Sequence, residues 1–299
     1  MLTIFAVPKP FKNNIKTIQT NAIKSWLQLR PACEVILLGN EAGTAEMASR
    51  LGIKHVPNVV YNEFGTPLIN SIFNLAQSAA EYQTMCYVNA DIILLNDFIT
   101  AIQRVNKKKF LVVGQRWDIE LNEPINFGDV QWESRLKALV AGESKLHPAS
   151  GSDYFVFPRG LFTDIPVFAL GRAGWDNWMI YRARYLKIPV IDATKAITPI
   201  HQNHDYSHLT QGKAGAFEGP EAQRNKDLLG GWEYSLSPRH ATWRLTPRGL
   251  KRDFTLKSIY YRVVAIPVLH PRLRFLFIPK RVVMALSRPF RSRPEKSKK

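Results

Sequence analysis

The chain has 299 residues, of which 45% are hydrophobic and 11% aromatic, a composition that excludes a disordered polymer and supports one large domain or two small ones. Its formal net charge is +17, yet 17 of the 41 Lys+Arg and only two of the 24 acidic residues fall between positions 239 and 299, so that stretch carries +15 and the rest +2. An anionic partner is therefore expected for the end of the chain and not for its body. Two cysteines, Cys33 and Cys86, are too few for a zinc cluster or a disulfide framework and read as buried thiols of a reducing compartment. Residues 2–7 have no basic segment before them and read as a first strand, not a signal peptide. No apolar run reaches the roughly 18 residues of a spanning helix.

After the first strand comes a loop, Pro8-Lys9-Pro10-Phe11-Lys12, and then a helix capped by Asn13 or Asn14. Its apolar face is Ile15, Ile18, Ala22, Ile23, Trp26 and Leu27, and Pro31 ends it. Residues 34–38 form a second buried strand, 43–51 a short helix, 53–60 a third extended segment and 68–80 a helix. A fourth strand at 85–88, a helix at 97–105 and a fifth strand at 110–114 complete an alternation that predicts a doubly wound, mostly parallel α/β sheet flanked by helices. Further on, 132–141 has helical periodicity and 154–157 reads as a strand. Gly174-Trp175-Asp176 opens a helix over 177–186, 190–193 follows as a strand, and 201–209 is rich in histidine. Beyond Gly231 the alternation is lost. The division expected is a catalytic domain at 1–238 and a basic, aromatic-rich C-terminal extension at 239–299.

The most informative stretch is residues 84–95, TMCYVNADIILL, where Asp91 lies between two apolar runs. A strand entering the core of an open α/β sheet delivers Asp91 to its carboxyl end, where such sheets bind ligands. A carboxylate there suits a hard divalent cation, and the cation suits a diphosphate; otherwise Asp91 caps a turn that Asn89 supports. Neither GxGxxG nor a P-loop follows the first strand, which argues against a dinucleotide-binding oxidoreductase and against an NTPase.

A strand, loop and helix followed by a strand that ends in a D-x-D-like tripeptide near position 90 resemble the GT-A fold glycosyltransferases, which transfer a sugar from a nucleotide-diphosphate donor. Asn89-Ala90-Asp91 matches their metal motif with an amide in place of the first carboxylate. The resemblance makes Asp91 a ligand of Mn2+ or Mg2+ and gives Asn89 a contact to ribose or donor sugar. It matches a glycine-containing acceptor loop to Ser150-Gly151-Ser152-Asp153, the catalytic base to Asp176, and a metal-binding histidine to His201 or His204. It also puts Pro8, Lys9 and Phe11 near the nucleotide base. The resemblance covers residues 1–210.

Other readings stand beside these. Asp176 is also a favourable charge at a helix start, and Asp153 either binds acceptor hydroxyls or caps a turn. Trp175 and Trp178 either wall a sugar-stacking cleft or fill the core. Asn62 and Asn70 flank the start of the third helix, within reach of base or ribose, and Arg116 can offset diphosphate charge.

The end of the chain interleaves apolar residues with arginines between 258 and 293 and is cut by prolines, which suits an anionic membrane surface better than nucleic acid. These observations predict a metal-dependent, inverting glycosyltransferase for hexosyl or related sugars. Its expected donor is a UDP- or GDP-sugar, its acceptor a cell-envelope or lipid-linked glycan, and its place the cytoplasmic membrane surface. The rivals are a nucleic-acid-binding or scaffold protein and a sugar-1-phosphate nucleotidyltransferase. The latter calls for a glycine- and arginine-rich loop where Val7-Pro8-Lys9-Pro10 stands.

Overall fold

The structure is a computed structural model and describes residues 1–204 and 212–276. Its strands are β1 (Leu2–Ala6), β2 (Glu34–Leu38), β3 (Lys54–Val56), β4 (Thr84–Val88), β5 (Ile92–Ile93), β6 (Leu111–Val113), β7 (Trp117–Ile119), β8 (Lys145–Leu146), β9 (Tyr154–Pro158), β10 (Val190–Asp192), β11 (Ile200–Gln202), β12 (Trp243–Thr246) and β13 (Gly249–Arg252). The principal helices are α1 (Asn13–Leu27), α2 (Thr44–Leu51), α3 (Ile69–Ala79), α4 (Asn96–Ile102), α5 (Trp132–Glu143), α6 (Trp175–Tyr185), α7 (Pro220–Leu229) and α8 (Leu256–Val264).

Nine strands form one sheet in the order β13-β12-β10-β6-β9-β4-β1-β2-β3. β1 pairs in parallel with β2 and β4, β2 with β3, and β10 with β6 and β12. β9 runs against both of its neighbours, β4 and β6, so its beginning, not its end, meets their carboxyl ends. Side chains alternate across the strands. Phe5 joins Ile69, Ile72 and Phe73 of α3 on one face, while Ile4 and Ala6 join Ala22, Ile23 and Trp26 of α1 on the other. The doubly wound, mostly parallel sheet expected of a GT-A-like domain is what the chain forms.

A second sheet, β5-β11-β7-β8, lies beyond the carboxyl end of β4. Its strands are only two or three residues long, and α1 holds it from beneath with buried polar groups. Trp26 Nε1 donates to Ile92 O (2.9 Å), Ser25 Oγ accepts from Leu94 N (3.1 Å), and Asn21 Nδ2 donates to Gln202 Oε1 (3.0 Å). The helix thus has an apolar seam for the large sheet and a polar seam for the small one.

α7 fixes the approach to α6. Asn225 is fully buried; its Oδ1 accepts from Ala169 N (2.8 Å) and its Nδ2 donates to Ala169 O (3.0 Å) and Arg172 O (3.2 Å). The backbone then passes through Gly174 at φ 112°, a conformation that disfavours any side chain, and enters α6. Asn225→Ala strands the two buried backbone groups of Ala169, and at 1–3 kcal/mol for each orphaned group a loss of about 3 kcal/mol is expected in urea unfolding.

The sheet does not stop at the boundary expected at 238. Thr242 N donates to Val190 O (2.9 Å) and β12 pairs with β10, so residues 243–252 extend the same sheet. The strands are short, carry Arg244, Lys251 and Arg252 among their eight residues and are joined by Pro247-Arg248, which hides their alternation. No helix among the described residues is long and apolar enough to cross a membrane. Residues 205–209 of the histidine-rich segment and 277–293 of the proline-cut basic stretch lie outside the described residues.

Candidate active site

At the carboxyl end of β4 the chain leaves the large sheet and enters the small one within four residues. Asp91 precedes β5, and His201 of β11 is paired across the ladder with Ile92 on one side and Asp118 of β7 on the other. The register of three very short strands therefore sets Asp91, His201 and Asp118 side by side. His204 follows two residues after β11. Among the described residues one group could hold a metal ion, Asp91, His201 and His204, with ligand atoms all within 4.8 Å of one another.

The donor set suits a cation. Asp91 Oδ2 lies 3.1 Å from His204 Nε2 and 4.0 Å from His201 Nε2, while Asp91 Oδ1 is buried with no partner. Burial opposes the charge of Asp91, but the contact with His204 and the nearby His201 and Lys9 hold its carboxyl well below the usual carboxylate range. The other nitrogen of His201, Nδ1, lies 3.2 Å from Asp118 Oδ1. With its proton on Nδ1, toward Asp118, the ring would present Nε2 on the Asp91 side, the arrangement that metal-bound histidines use. Asp118 is itself held ionised against burial by His201, Arg116 and His147, whose Nδ1 is 2.6 Å from Asp118 Oδ2.

Lys9 shares the site. Its backbone is clamped to α1, with its N donating to Gln19 Oε1 (2.6 Å) and its O accepting from Gln19 Nε2 (2.8 Å). Its Nζ reaches within 3.1 Å of His204 Nε2 and 3.8 Å of Asp91 Oδ2. Pro8 is buried beside it. The Phe11 side chain packs so closely on Gly43 that a Cβ there would stand 2.9 Å from Phe11 Cβ. A cavity of about 670 Å³ opens alongside, lined by Lys9, Lys12, Asn14, Asn122, Asn203 and His204.

The amide at 89 has a structural reason. Tyr87 OH donates to Asn89 Oδ1 (2.9 Å), and Asn89 Nδ2 donates to Asp153 Oδ1 (2.7 Å). A carboxylate at 89 would face Asp153 at hydrogen-bond distance with no proton between them, and two such charges repel strongly when buried. Asp153 also takes Arg116 Nη1 at 2.6 Å, and Arg116 Nε donates to Asp118 Oδ1 (2.8 Å). Arg116 thus bridges two carboxylates and is engaged with the protein, as Asn89 is.

Asp176 stands at the start of α6. Its Oδ2 accepts from Ser152 N (3.3 Å), and a Cβ on Gly151 would lie 3.9 Å from the same oxygen. The Ser152 hydroxyl is buried without a partner in this corner. Asn177 Nδ2 donates to Ser150 O (3.2 Å) and Leu236 O (2.8 Å), which staples the glycine loop to the helix. Burial pushes the Asp176 carboxyl up to about 6, against the backbone N–H of Asn177 and of Ser152. A helix N-terminus favours a carboxylate by only about 0.3–1 kcal/mol, so burial wins.

Several expected residues lie elsewhere. Trp175 and Trp178 are core side chains, 6% and 7% exposed. Trp175 meets Tyr87 edge-on at 5.1 Å, and Trp178 packs against Phe168. Neither indole offers the open ring face that a sugar-stacking wall needs. Asn62 Nδ2 donates to Glu221 Oε1 (2.7 Å) while its Oδ1 accepts from Phe64 N and Thr66 N, which shapes its loop. Asn70, in the first turn of α3, keeps a buried Oδ1 with no partner. From the sequence, His147 carries no signal, and Asp118 stands out only as leaving the fifth strand beside Arg116 and Trp117 near the same sheet edge, with no role of its own.

No protein-family model matches this sequence, and no curated protein matches it. Solved structures similar to it include S. aureus TarS residues 1–349 in complex with UDP-GlcNAc (16% identity, TM-score 0.45, 75% of this chain and 61% of that one). Another is glucosyl-3-phosphoglycerate synthase from Mycobacterium tuberculosis in complex with Mn2+, UDP and glucosyl-3-phosphoglycerate (12% identity, TM-score 0.45, 77% of this chain and 80% of that one). The chain spans 60% and 61% of the length of two TarS 1–349 chains that it matches.

Proposed function

We propose that the protein is a divalent-metal-dependent glycosyltransferase that moves a sugar from a UDP- or GDP-sugar to an acceptor hydroxyl with inversion. The observation that carries this reading is the meeting of Asp91, His201 and His204 beyond β4, with one Asp91 oxygen buried and unpartnered. One carboxylate oxygen and two imidazole nitrogens suit Mn2+ better than Mg2+, which prefers oxygen ligands and keeps its waters. A cation held there supplies positive charge for the diphosphate leaving group. Lys9, 3.1 Å from His204 Nε2, then turns its ammonium to the diphosphate as a second positive group. Asp176 accepts the proton of the acceptor hydroxyl as its oxygen attacks the anomeric carbon. A carboxyl raised to about 6 is ionised at neutral pH yet more basic than an ordinary aspartate. Gly151, Ser152 and Asp153 form the acceptor side, next to Asp176. Pro8 and Phe11, on either side of Lys9, stand on the nucleotide side, and Asn89 and Arg116 act by holding Asp153 in place. The basic end of the chain suits a cytoplasmic, peripheral position at an anionic membrane, with a lipid-linked or cell-envelope glycan as acceptor.

Thermal-shift titration of UDP- and GDP-sugars with and without Mn2+ tests the reading. A shift that needs both metal and nucleotide is expected; no shift with any nucleotide, alongside tight DNA or RNA binding, would favour the nucleic-acid alternative. Asp118→Asn keeps all three ligand atoms but removes the charge that orients His201. Its Mn2+ dissociation constant, read by calorimetry, is expected to rise by about 10–100-fold.

A further inference from the structure

Helix α8 is inside out. Leu256, Ile259, Tyr260 and Val263 recur at helical spacing on one face, and that face points to solvent, each side chain between 40% and 86% exposed. Phe254, just before the helix, is exposed as well. The face toward the protein is anchored by a small polar residue: Ser258 is buried, and its Oγ donates to Ala241 O (3.4 Å) and Asp253 O (3.3 Å). Thr255 Oγ1 caps the helix by accepting from Ser258 N (3.3 Å), and Asp253 in turn accepts from Thr255 N and is paired with Arg244 at 2.7 Å. The helix is therefore seated, and its apolar residues are turned outward by design of the sequence. An exposed apolar stripe of this size calls for an occupant.

Its surroundings say which. Lys251, Arg252 and Lys257 are exposed beside it, and Arg262 stands 5.7 Å from the Phe254 ring. Asp253, the sole acidic residue from 239 to 294 in the sequence, is buried and consumed by Arg244, so the stripe's own segment shows no exposed acid. The sequence that follows, residues 277–299, adds eight Lys+Arg and one Glu. A second copy seated on this face would bring two such cationic rims together. Nucleic acid would use the cations but has no place for Leu256 and Val263.

We propose that the outward face of α8 seats in the headgroup–acyl boundary of an anionic lipid bilayer, with Phe254, Leu256, Tyr260 and Val263 entering the apolar layer and Lys251, Arg252, Lys257 and Arg262 meeting the headgroups. Apolar burial and attraction to anionic lipid add in such a helix. This rests on the membrane-surface part of the reading above and is independent of its catalytic part.

The test is cosedimentation of the full chain with vesicles of phosphatidylcholine alone or with phosphatidylserine. The wild type is expected to sediment with the anionic vesicles only, less so as salt rises. A combined Leu256→Ser, Tyr260→Ser, Val263→Ser variant should lose about tenfold or more of its partitioning, with its Mn2+-dependent nucleotide-sugar thermal shift unchanged. Lys251→Glu with Lys257→Glu should weaken binding independently, without touching the apolar face. If both variants sediment like the wild type, the helix is not the docking element, although the membrane reading survives. If the wild type ignores anionic vesicles, both fail. If the serine variant instead abolishes a dimer seen by sedimentation velocity, the face belongs to a second copy and the proposal is overturned.

Discussion

Asp176→Asn is expected to abolish sugar transfer while donor and metal still bind. General-base catalysis is worth about 10²–10⁴ in rate, and asparagine keeps the shape and the acceptor oxygen but cannot take a proton. A kcat lowered by about a thousandfold with an unchanged nucleotide-sugar thermal shift is the expected pair of results. Near-normal turnover would remove Asp176 from the chemistry. The wild-type rate should also fall below pH about 6, roughly tenfold per unit, because the base must be ionised to act. Stability moves in the opposite sense. The carboxyl is raised from 3.8 to about 6 in the folded protein, so between those pH values the unfolded chain has already given up a proton that the folded chain keeps. The group therefore lowers stability as pH rises through this window, and the cost is complete above it. Asparagine removes that dependence. Urea unfolding should find Asp176→Asn at least as stable as wild type at pH 8 and no better at pH 3.

The second large effect is at Asp91. Asp91→Asn removes the only carboxylate of the candidate ligand group and leaves two imidazoles beside the Lys9 ammonium. Metal affinity should fall by more than the 10–100-fold expected of an orienting residue such as Asp118. Calorimetry with Mn2+ should find no measurable binding where the wild type binds, and the nucleotide-sugar shift should vanish with it. The fold should survive, because the local backbone is held independently of the carboxylate: Ile92 N donates to Asn89 O (3.1 Å) and Gln202 Nε2 to Asp91 O (3.2 Å). A variant that binds Mn2+ as tightly as wild type would place the metal, and the leaving group, elsewhere.

The half of the sheet from β1 to β4 was legible because each strand is a buried apolar run and each crossover helix has one apolar face. The direction of β9 was not. Tyr-Phe-Val-Phe reads the same parallel or antiparallel, and only its central position between β4 and β6 decides. The small sheet was invisible for a different reason. Trp117-Asp118-Ile119 and Ile200-His201-Gln202 are three residues each, too short for a period, and their polar members carry the site. α7 was missed because its inward residues include Glu221 and Asn225, which are buried to make hydrogen bonds and not to hide apolar surface. That Asp91 could meet a histidine beyond the fourth strand followed from residue type and order, and Asp176 was proposed as base on the same ground. The partners that orient them could not be read this way, since Asp118 meets His201 only through strand register, and of the two readings of Trp175 and Trp178 it is core filling that their burial supports.

The reversed strand has an energetic meaning. Val88 and Tyr154 face each other on the β4–β9 ladder, and Asn89 N donates to Asp153 O (2.9 Å) as its next rung. Residues 64 positions apart in sequence are thereby adjacent teeth of one rack. The spacing between the Asn89-Ala90-Asp91 tripeptide and the loop at Asp153 is set once, when the sheet forms; on the proposed reading, this preorganises the donor side against the acceptor side. The separation of Asn89 from Asp153 stays as the ladder fixed it, whatever the loops around them do.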